Sequence, residues 1–296
     1  MTASARTRQL AALQEALARA GYIAEPSLAA ALLLMQELGR PLLLEGEAGV
    51  GKTEVAKALA SIRGTRLIRL QCYEGLDAHS AMYEWNYQRQ LLAIKAREGA
   101  DPDAVEAHIF SEAYLLERPL LAAIRREQAP VLLIDEIDRA DAEFEAFLLE
   151  LLSDFQVSIP ELGTVRAVSL PRVVLTSNGT RELSDALRRR CLYHVLNFPD
   201  VDREARILVA RVPGIDTALA VQVARLMAEV RKQELAKTPG VAETLDWAAA
   251  LVGLRVPRLD ADREAVFQTL SCVLKTREDH ARISREVSDR LIGKVA

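Results

Sequence analysis

Residues 46–53, GEAGVGKT, match the pattern G-x-x-x-x-G-K-[ST] at every position. The glycines let the backbone curl so that successive N–H groups point at phosphate oxygens, and the following helix adds its positive N-terminal end. An apolar run, Pro41–Glu45, precedes this segment and a helical pattern follows it, which is the context a phosphate loop requires. We therefore expect nucleotide phosphates to be bound by the loop and the start of the helix, which comprise Gly46, Glu47, Ala48, Gly49, Val50, Gly51, Lys52, Thr53 and Glu54.

Two carboxylates, Asp135 and Glu136, follow the apolar run Val131–Ile134, which is typical of a buried strand. Ligands of parallel sheets bind at the carboxyl ends of the strands. We expect Asp135 and the Thr53 hydroxyl to bind Mg²⁺, Lys52 to reach the β- and γ-phosphates of ATP, and Glu136 to accept a proton from water. The alternative is that Asp135, Glu136 and Asp138 are capping acids of the next helix; Asp138 is expected to be structural or a cap.

Four apolar runs alternate with helical patterns, which predicts a parallel sheet covered by helices on both faces and hence an α/β fold. The runs are 41–45, 66–70, 131–134 and 173–176. Helices are predicted over about 5–20 and 54–61, and in a segment with Ser27 as N-cap and Gly39 just past its end. Beyond residue 200 only helices are predicted, over 202–210, 217–237, 242–253 and 263–275. We expect an α/β nucleotide-binding domain at 1–200 and a smaller helical lid domain at 201–296.

Two segments interrupt the α/β alternation. Residues 74–119 predict a mostly helical insert, with the aromatic residues Tyr83, Trp85 and Tyr87 near its start. Residues 155–168 alternate apolar and polar and turn through 161–164, which predicts a β-hairpin. Either addition could contact a client protein or line a pore; the alternative for the aromatic residues is local packing.

Composition excludes several classes of protein. Half of the 296 residues are apolar, too many for a disordered chain, and 38 basic against 42 acidic residues give a net charge of −4. This mild acidity argues against a protein that coats nucleic acid. The chain has three cysteines in no metal- or disulfide-like spacing and no apolar run long enough to span a membrane, so we expect a cytoplasmic protein.

The order of these motifs resembles that of the AAA+ ATPases. In that superfamily a polar residue called sensor 1 follows the fourth strand, and Asn178 of Thr176-Ser177-Asn178 stands there, although an asparagine after a strand is usually a turn residue. The later run Arg188–Arg190 resembles the segment that carries an arginine finger for the neighbouring subunit's nucleotide. The resemblance implies Arg190 as the finger, with Arg189 second; the alternative is a solvated basic turn or arginines bound to acids of their own domain.

More narrowly, the chain resembles the MoxR family, which has an insert and a hairpin in these places. The segments 70–75, 83–87 and 153–164 are similar to the branch that accompanies carbon monoxide dehydrogenase maturation. This resemblance implies an ATP-driven chaperone for metalloenzyme assembly that forms a homo-oligomeric ring, expected to be a hexamer, with a von Willebrand factor A domain partner. It also implies that Tyr22 and Ile23 pack on adenine, for which plain packing at a helix end is the alternative.

One departure from the superfamily concerns sensor 2, an arginine at the start of a lid helix. The corresponding segment, Pro239–Thr244, has no arginine. Either Lys237 or Arg255 therefore acts as sensor 2, or the chain has no sensor 2 residue. Gln71, at the end of the second predicted strand, is a candidate for coupling partner binding to Glu136. Other readings stay open: a P-loop kinase for a small molecule, a nucleotide-gated binding module with slow hydrolysis, or a DNA-remodelling motor.

Overall fold

A computed structural model describes residues 3–97, 99, 101–160 and 162–295 of the chain. Glu98 and Ala100 of the predicted insert, and Glu161 of the predicted hairpin turn, lie outside the described residues. The strands, in chain order, are β1 Leu42–Glu45, β2 Leu67–Gln71, β3 Tyr83–Trp85, β4 Leu115–Glu117, β5 Val131–Asp135, β6 Gln156–Ile159, β7 Gly163–Arg166, β8 Arg172–Ser177 and β9 Leu192–Val195.

The helices account for most of the remaining chain. In chain order they are α1 Ala3–Arg19, α2 Pro26–Leu38, α3 Lys52–Arg63, α4 Ala78–Met82, α5 Tyr87–Ala96, α6 Pro102–Ile109, α7 Pro119–Ile124, α8 Ala142–Asp154, α9 Asp185–Arg190, α10 Val201–Arg211, α11 Thr217–Arg231, α12 Val241–Gly253, α13 Arg263–Thr269, α14 Arg277–Arg282 and α15 Arg285–Val295. Short 3₁₀ helices occupy Glu112–Tyr114, Ile137–Arg139 and Leu270–Cys272. No helix within the described ranges is both long enough and apolar enough to cross a bilayer.

Among the described residues, five strands form one parallel sheet in the order β2-β5-β8-β1-β9. The inner strand β5 is buried along its whole length, as expected when helices cover both faces of a parallel sheet. The register pairs Gln71 with Asp135 and Glu45 with Ser177, so the carboxyl ends of these strands meet at one edge. The predicted α/β class, a parallel sheet with helices followed by a helical C-terminal segment, is confirmed.

The edge strand β9 was not predicted from the sequence. It is four residues long and contains His194, and its side chains alternate between half-buried and exposed. Pattern reading for buried parallel strands looks for a continuous apolar run, which an edge strand does not need. β9 is held in place by its pairing with β1, a contact between distant parts of the chain.

Side-chain caps determine where many helices begin. An oxygen of the residue before the helix accepts a backbone N–H of the first turn, which satisfies one of the amides that have no partner within the helix. The capping residues are Asn86, Asp141, Ser184, Asp200, Asp216, Asp262 and Thr276. The prediction for Ser27 was wrong: α2 begins at Pro26, whose fixed φ suits the first helical position, and Ser27 lies within the first turn.

The insert contains the helices α4, α5 and α6, in keeping with the predicted helical insert, together with an antiparallel ribbon of β3 and β4 that was not predicted. Trp85, in β3, packs edge-to-face on Tyr83 at 6.2 Å and on Phe110 at 5.3 Å between ring centroids. Tyr83 and Trp85 are buried and Tyr87 is 62% exposed. Local packing therefore explains two of the three aromatic residues singled out from the sequence. The hairpin segment 155–168 contains the antiparallel pair β6 and β7.

The C-terminal helices pack around the fully buried Trp247, whose Nε1 donates to Thr269 Oγ1 at 2.9 Å. The helix predicted over 217–237 ends earlier, at Arg231, because the amides of Ala236 and Lys237 donate to the buried Asp279 at 2.7 and 3.3 Å. The helix predicted over 263–275 also ends early, at Thr269, and continues as a 3₁₀ turn. Helices α14 and α15 were not predicted.

Packing groups the chain into two compact units, residues 1–25, 46–55 and 196–296 in one, and residues 26–45 and 56–195 in the other. The phosphate loop thus groups by contact with the C-terminal helices, and the sheet with the insert and the hairpin. The expected division at residue 200 placed residues 1–25 and 46–55 with the sheet, whereas the packing groups them with the C-terminal helices. The functional division into a nucleotide-binding domain and a lid stays a prediction.

Candidate functional site

The backbone of the phosphate loop adopts conformations that glycine alone takes readily. Gly49 and Gly51 have φ values of 84° and 95°, where a β-carbon would be strained. Lys52, the first residue of α3, is buried, and its Nζ donates to the carbonyl oxygens of Gly46 at 2.6 Å and Glu47 at 2.8 Å. A buried ammonium thus lies inside the curl of the loop, as phosphate binding requires.

The loop also contacts the start of α12. A β-carbon built on Gly49 would lie 2.7 Å from the Cα of Gly240, the residue that precedes the helix. The amide of Val241 donates to the Gly49 carbonyl oxygen at 2.9 Å. This is the segment in which the sequence lacks a sensor 2 arginine, so backbone groups make the contact there.

A buried ion pair that the sequence analysis missed holds this segment in place. The two terminal nitrogens of Arg231 donate to Glu204 at 2.6 and 2.7 Å, and its Nε donates to the Pro239 carbonyl oxygen at 2.9 Å. Thr244 Oγ1 donates to the same carboxylate at 2.8 Å. The candidates named from the sequence, Lys237 and Arg255, are exposed. No sequence motif marks Arg231, because its partners lie in three different segments.

Tyr22 and Ile23, the predicted adenine contacts, are both buried. Burial raises the pKa of Tyr22 to about 12, with Arg203 lowering it and Glu54 raising it to smaller extents. The Tyr22 hydroxyl has no hydrogen-bond partner within the described part of the chain. Glu54, predicted to lie at the nucleotide, forms an ion pair with Arg211 at 3.4 Å. The structure therefore brings Tyr22 close to the first turn of α3.

At the carboxyl edge of the sheet, the buried Asp135 carboxylate accepts hydrogen bonds from Thr176 and Arg69. Thr176 Oγ1 donates to its Oδ1 at 2.5 Å, and Arg69 donates to its Oδ2 through Nε at 3.0 Å and Nη2 at 2.6 Å. Arg69 was not singled out from the sequence. The available signal was a charged residue two positions before Gln71 in an otherwise apolar strand, since alternate residues of a strand share a face.

Glu136 follows with a left-handed backbone, φ 57°, which is uncommon outside glycine and is found at functional sites. Its amide donates to Thr176 Oγ1 at 2.9 Å, and its Oε2 lies 3.2 Å from Arg139 Nη1. The same threonine hydroxyl therefore fixes Asp135 and the backbone of Glu136. Asp135 and Glu136 precede the 3₁₀ helix Ile137–Arg139, and neither side chain caps it.

Asp138 is structural. Its Oδ2 accepts the Asn178 amide at 3.1 Å, the Thr180 amide at 3.0 Å and the Thr180 hydroxyl at 2.6 Å. Burial alone would raise the pKa of Asp138, but the hydrogen bonds from Thr180 and Asn178 outweigh burial and lower it. These bonds fix the backbone just past β8, where Asn178 lies.

An open cleft of about 880 Å³ brings Glu136 and Asn178 together. Arg139, Asp138, Thr180 and Arg181 are among its other lining residues. A carboxylate and an amide that line one water-accessible cleft have the chemistry to accept a proton from a water molecule and to orient it.

The arginines of 188–190 differ in their contacts. Arg188 lies 3.5 Å from Glu45 and over the Tyr193 ring, so it binds an acid of its own unit. Arg190 is exposed, and its Nε donates to Ser153 Oγ at 2.7 Å. The exposed Arg189 side chain makes no hydrogen bond to any residue the structure describes, while the carbonyl oxygens of Arg189 and Arg190 both accept hydrogen bonds from Arg40. The choice of finger stays a prediction.

The donor set suits Mg²⁺ bound together with a nucleotide. Among the described residues, no group of three or more His, Cys, Asp or Glu side chains could hold a metal by itself. Mg²⁺ commonly takes one or two protein oxygens and completes its shell with phosphate oxygens and water. Thr53, beside the loop lysine, and Asp135, at the strand end, are oxygen donors of that kind.

Comparisons with known proteins match the central part of the chain. The family model "AAA domain (dynein-related subfamily)" matches residues 41–191. The gas vesicle ATPase GvpN of Haloferax mediterranei is 27% identical over 67% of this chain and 58% of its own length. The chaperone protein ClpB of Chlamydia trachomatis is 29% identical over 54% of this chain and 17% of its own length.

This chain therefore spans less than two thirds of the length of either relative. Among solved structures, the RuvB Holliday junction branch migration motor of Thermotoga maritima aligns with 87% of this chain and 68% of its own, at 21% identity and a TM-score of 0.43.

Proposed function

This chain belongs to the dynein-related subfamily of AAA domains, and from that premise we propose that it is a Mg²⁺-dependent ATPase that remodels a client protein. The observation that carries the proposal is the phosphate loop. Two left-handed glycines and the buried Lys52 form a cradle of backbone amides and one ammonium. Such a cradle binds the β- and γ-phosphates of a nucleotide.

The proposed roles follow the predicted residues. Thr53 and Asp135 bind Mg²⁺, which offsets the negative charge of the phosphates when bound. Glu136 takes a proton from the attacking water, and Asn178 orients that water. The cleft that Glu136 and Asn178 share supports this division of roles. Tyr22 and Ile23 contact the adenine. The burial of both side chains and the closeness of Tyr22 to Glu54 at the start of α3 support this assignment.

We further propose a homo-oligomeric ring, a hexamer, in which Arg190 or else Arg189 reaches the neighbouring subunit's nucleotide. The exposure of both side chains supports this, since a residue that acts on a neighbouring subunit has to extend from the surface of its own subunit. A planar, permanently charged guanidinium suits the charge spread over a transferring phosphoryl group.

The chaperone part of the proposal has support from the similarity to ClpB, whose name describes a chaperone protein. Carbon monoxide dehydrogenase or a similar metalloenzyme is the proposed client, with a von Willebrand factor A domain protein as partner and the cytoplasm as location. These assignments rest on the MoxR resemblance of the segments 70–75, 83–87 and 153–164.

A second candidate is a nucleotide-gated binding module with slow hydrolysis. The ion pair between Glu136 and Arg139 favours it, because the pair occupies one carboxylate oxygen of the proposed base. So does the lack of an arginine at Pro239–Thr244. This candidate predicts tight ATP binding with little turnover at any protein concentration.

The test is ATP turnover per subunit over a wide range of protein concentrations. We expect wild-type turnover to rise and then saturate, as it does when a site is shared between subunits. Glu136→Gln is expected to bind ATP and turn over about a hundredfold slower or worse. Arg190→Ala, or Arg189→Ala if Arg189 is the finger, is expected to lose about a thousandfold. The exposed Arg66→Ala is the matched control.

Rapid turnover by a monomer that is unaffected by substitution of either arginine would contradict the ring. Transfer of phosphate to a small-molecule acceptor would indicate a kinase.

A further inference from the structure

Asp135 has the burial of a core residue, with 4% of its side chain exposed. A buried carboxylate is costly unless a positive charge and hydrogen bonds compensate for the lost water. Thr176 supplies one hydrogen bond, to Oδ1, but no charge. Arg69, on the neighbouring strand β2, lies 2.6 Å from the carboxylate and supplies a positive charge.

Arg69 directs two N–H groups at a single oxygen. Both Nε and Nη2 donate to Oδ2, at 3.0 and 2.6 Å, and Nη2 also donates to Gln71 Oε1. Arg69 and Gln71 are two positions apart in β2 and so lie on one face of the sheet. Gln71 thus helps to hold the guanidinium against Asp135.

We propose that Arg69 is a resident counter-cation for Asp135, which occupies Oδ2 while no metal is bound and competes with Mg²⁺ for this carboxylate. The inference rests on the proposed function, in which Asp135 contributes to the Mg²⁺ site. In the proposed site, Mg²⁺ or one of its tightly held waters contacts Oδ2, the oxygen that the two N–H groups occupy. The two cations therefore exclude each other at Oδ2, and metal-nucleotide binding displaces the guanidinium.

The geometry allows this exchange. About half of the Arg69 side chain is exposed, so the guanidinium can move into water without opening the core. The Thr176 hydroxyl, on Oδ1, keeps the carboxylate oriented in both states. Gln71 then controls how readily Arg69 leaves, which gives it a role distinct from coupling a partner to Glu136.

The first test measures the Mg²⁺ concentration that gives half-maximal tightening of fluorescent ADP binding. Arg69→Met removes the competing cation but keeps an unbranched side chain of similar length. We expect its Mg²⁺ midpoint to fall about tenfold, the size of one charge-assisted hydrogen bond. Arg66→Met removes the same charge three residues earlier, where the side chain is exposed, and is expected to keep the wild-type midpoint.

The second test measures the melting temperature in EDTA. Arg69→Met removes a positive charge from beside the buried Asp135 carboxylate, so we expect a lower melting temperature that Mg²⁺ with ADP restores. Asp135→Asn in the Arg69→Met background removes the buried charge and is expected to recover the melting temperature in EDTA. This double variant keeps the proposal testable if Arg69→Met alone folds poorly.

An unchanged or higher Mg²⁺ midpoint in Arg69→Met, with wild-type nucleotide binding intact, would overturn the competition and leave the proposed function standing. A melting temperature that Asp135→Asn does not recover would assign Arg69 a packing role instead. If the wild-type protein binds ADP without any dependence on Mg²⁺, or does not bind it, the Mg²⁺ site of the proposed function fails and this inference fails with it.

Discussion

The Gly49 carbonyl oxygen accepts a hydrogen bond from Val241, and the Gly49 and Gly240 backbones approach closely enough that neither has room for a β-carbon. The contact joins the middle of the phosphate loop to the start of α12. Any change in the conformation of the loop therefore displaces the first turn of that helix. This direct backbone contact lies in Pro239–Thr244, a segment that contains no arginine.

We predict that Gly240→Ala weakens nucleotide binding. The φ of Gly240 is −84°, so alanine is not strained there, but its β-carbon would lie 2.6 Å from Gly49 Cα. Relieving such a clash costs about 1–3 kcal/mol and shifts the loop. Gly253→Ala, at the other end of α12, is the control, because a β-carbon built there meets no other part of the protein within 4 Å. Nucleotide titration and urea denaturation measure both effects; equal behaviour of the two variants would contradict the prediction.

We predict that Arg231→Met destabilises the protein strongly. Glu204 is 1% exposed, and losing its bidentate partner leaves an uncompensated buried charge, which costs about 3–5 kcal/mol. Loss of the bond to Pro239 should also loosen the segment before α12. Arg285→Met removes an arginine from an exposed pair with Glu264, worth less than about 1 kcal/mol. The free energy of unfolding from urea denaturation compares them, and similar losses would argue against a special role for the buried pair.

We predict that Arg139→Met raises ATP turnover. Arg139 binds the Oε2 atom of Glu136, and its removal frees this oxygen to accept a proton from water in the cleft. The pair is partly exposed, so its free energy is at most about 1 kcal/mol and the gain at most about fivefold. Steady-state turnover at saturating ATP measures it, with Arg66→Met as control. A fall in turnover would instead mean that Arg139 orients Glu136 for catalysis.

We predict that Asp138 contributes to acid sensitivity. The pKa of Asp138 is lower in the folded protein than in the unfolded chain, where it is near 3.9. The stability that the ionised carboxylate gives is therefore fully present above the unfolded-state pKa, and it is lost as the pH falls through the folded-state pKa. Asp138→Asn should be less stable than wild type at pH 7 and should lose less stability below about pH 5. Denaturation curves at a series of pH values test this, with the exposed Asp154→Asn as control. Parallel pH profiles for wild type and Asp138→Asn would contradict it.

The inner strands, the phosphate loop and Asp135 with Glu136 could be predicted because short-range patterns specify them. A buried strand is an apolar run, and a phosphate loop is a fixed spacing of glycines, Lys52 and Thr53. These signals lie within eight consecutive residues. They also place the strand ends at one edge, because parallel strands share their direction.

The remaining features depend on partners far away in the chain. Arg69 reaches Asp135 across 66 positions, and Asp279 ends α11 by accepting amides more than forty positions away. The edge strand β9 is formed by pairing with β1 more than by its own pattern. Local periodicity gives no information on such long-range contacts. The pairing of Arg69 with Asp135 and of Arg231 with Glu204 could therefore not be predicted from the sequence.

The bonds from Arg40 to the carbonyl oxygens of Arg189 and Arg190 order the end of α9 before any second subunit arrives. A guanidinium carried on an ordered backbone has only its own rotamers left to freeze when it docks, whereas one on a loose loop also loses backbone freedom. In the proposed ring, the entropic cost of placing Arg189 or Arg190 at a neighbour's nucleotide is therefore borne largely during folding. The proposed finger would then engage and release by small side-chain movements, which suits rapid cycling between the two states.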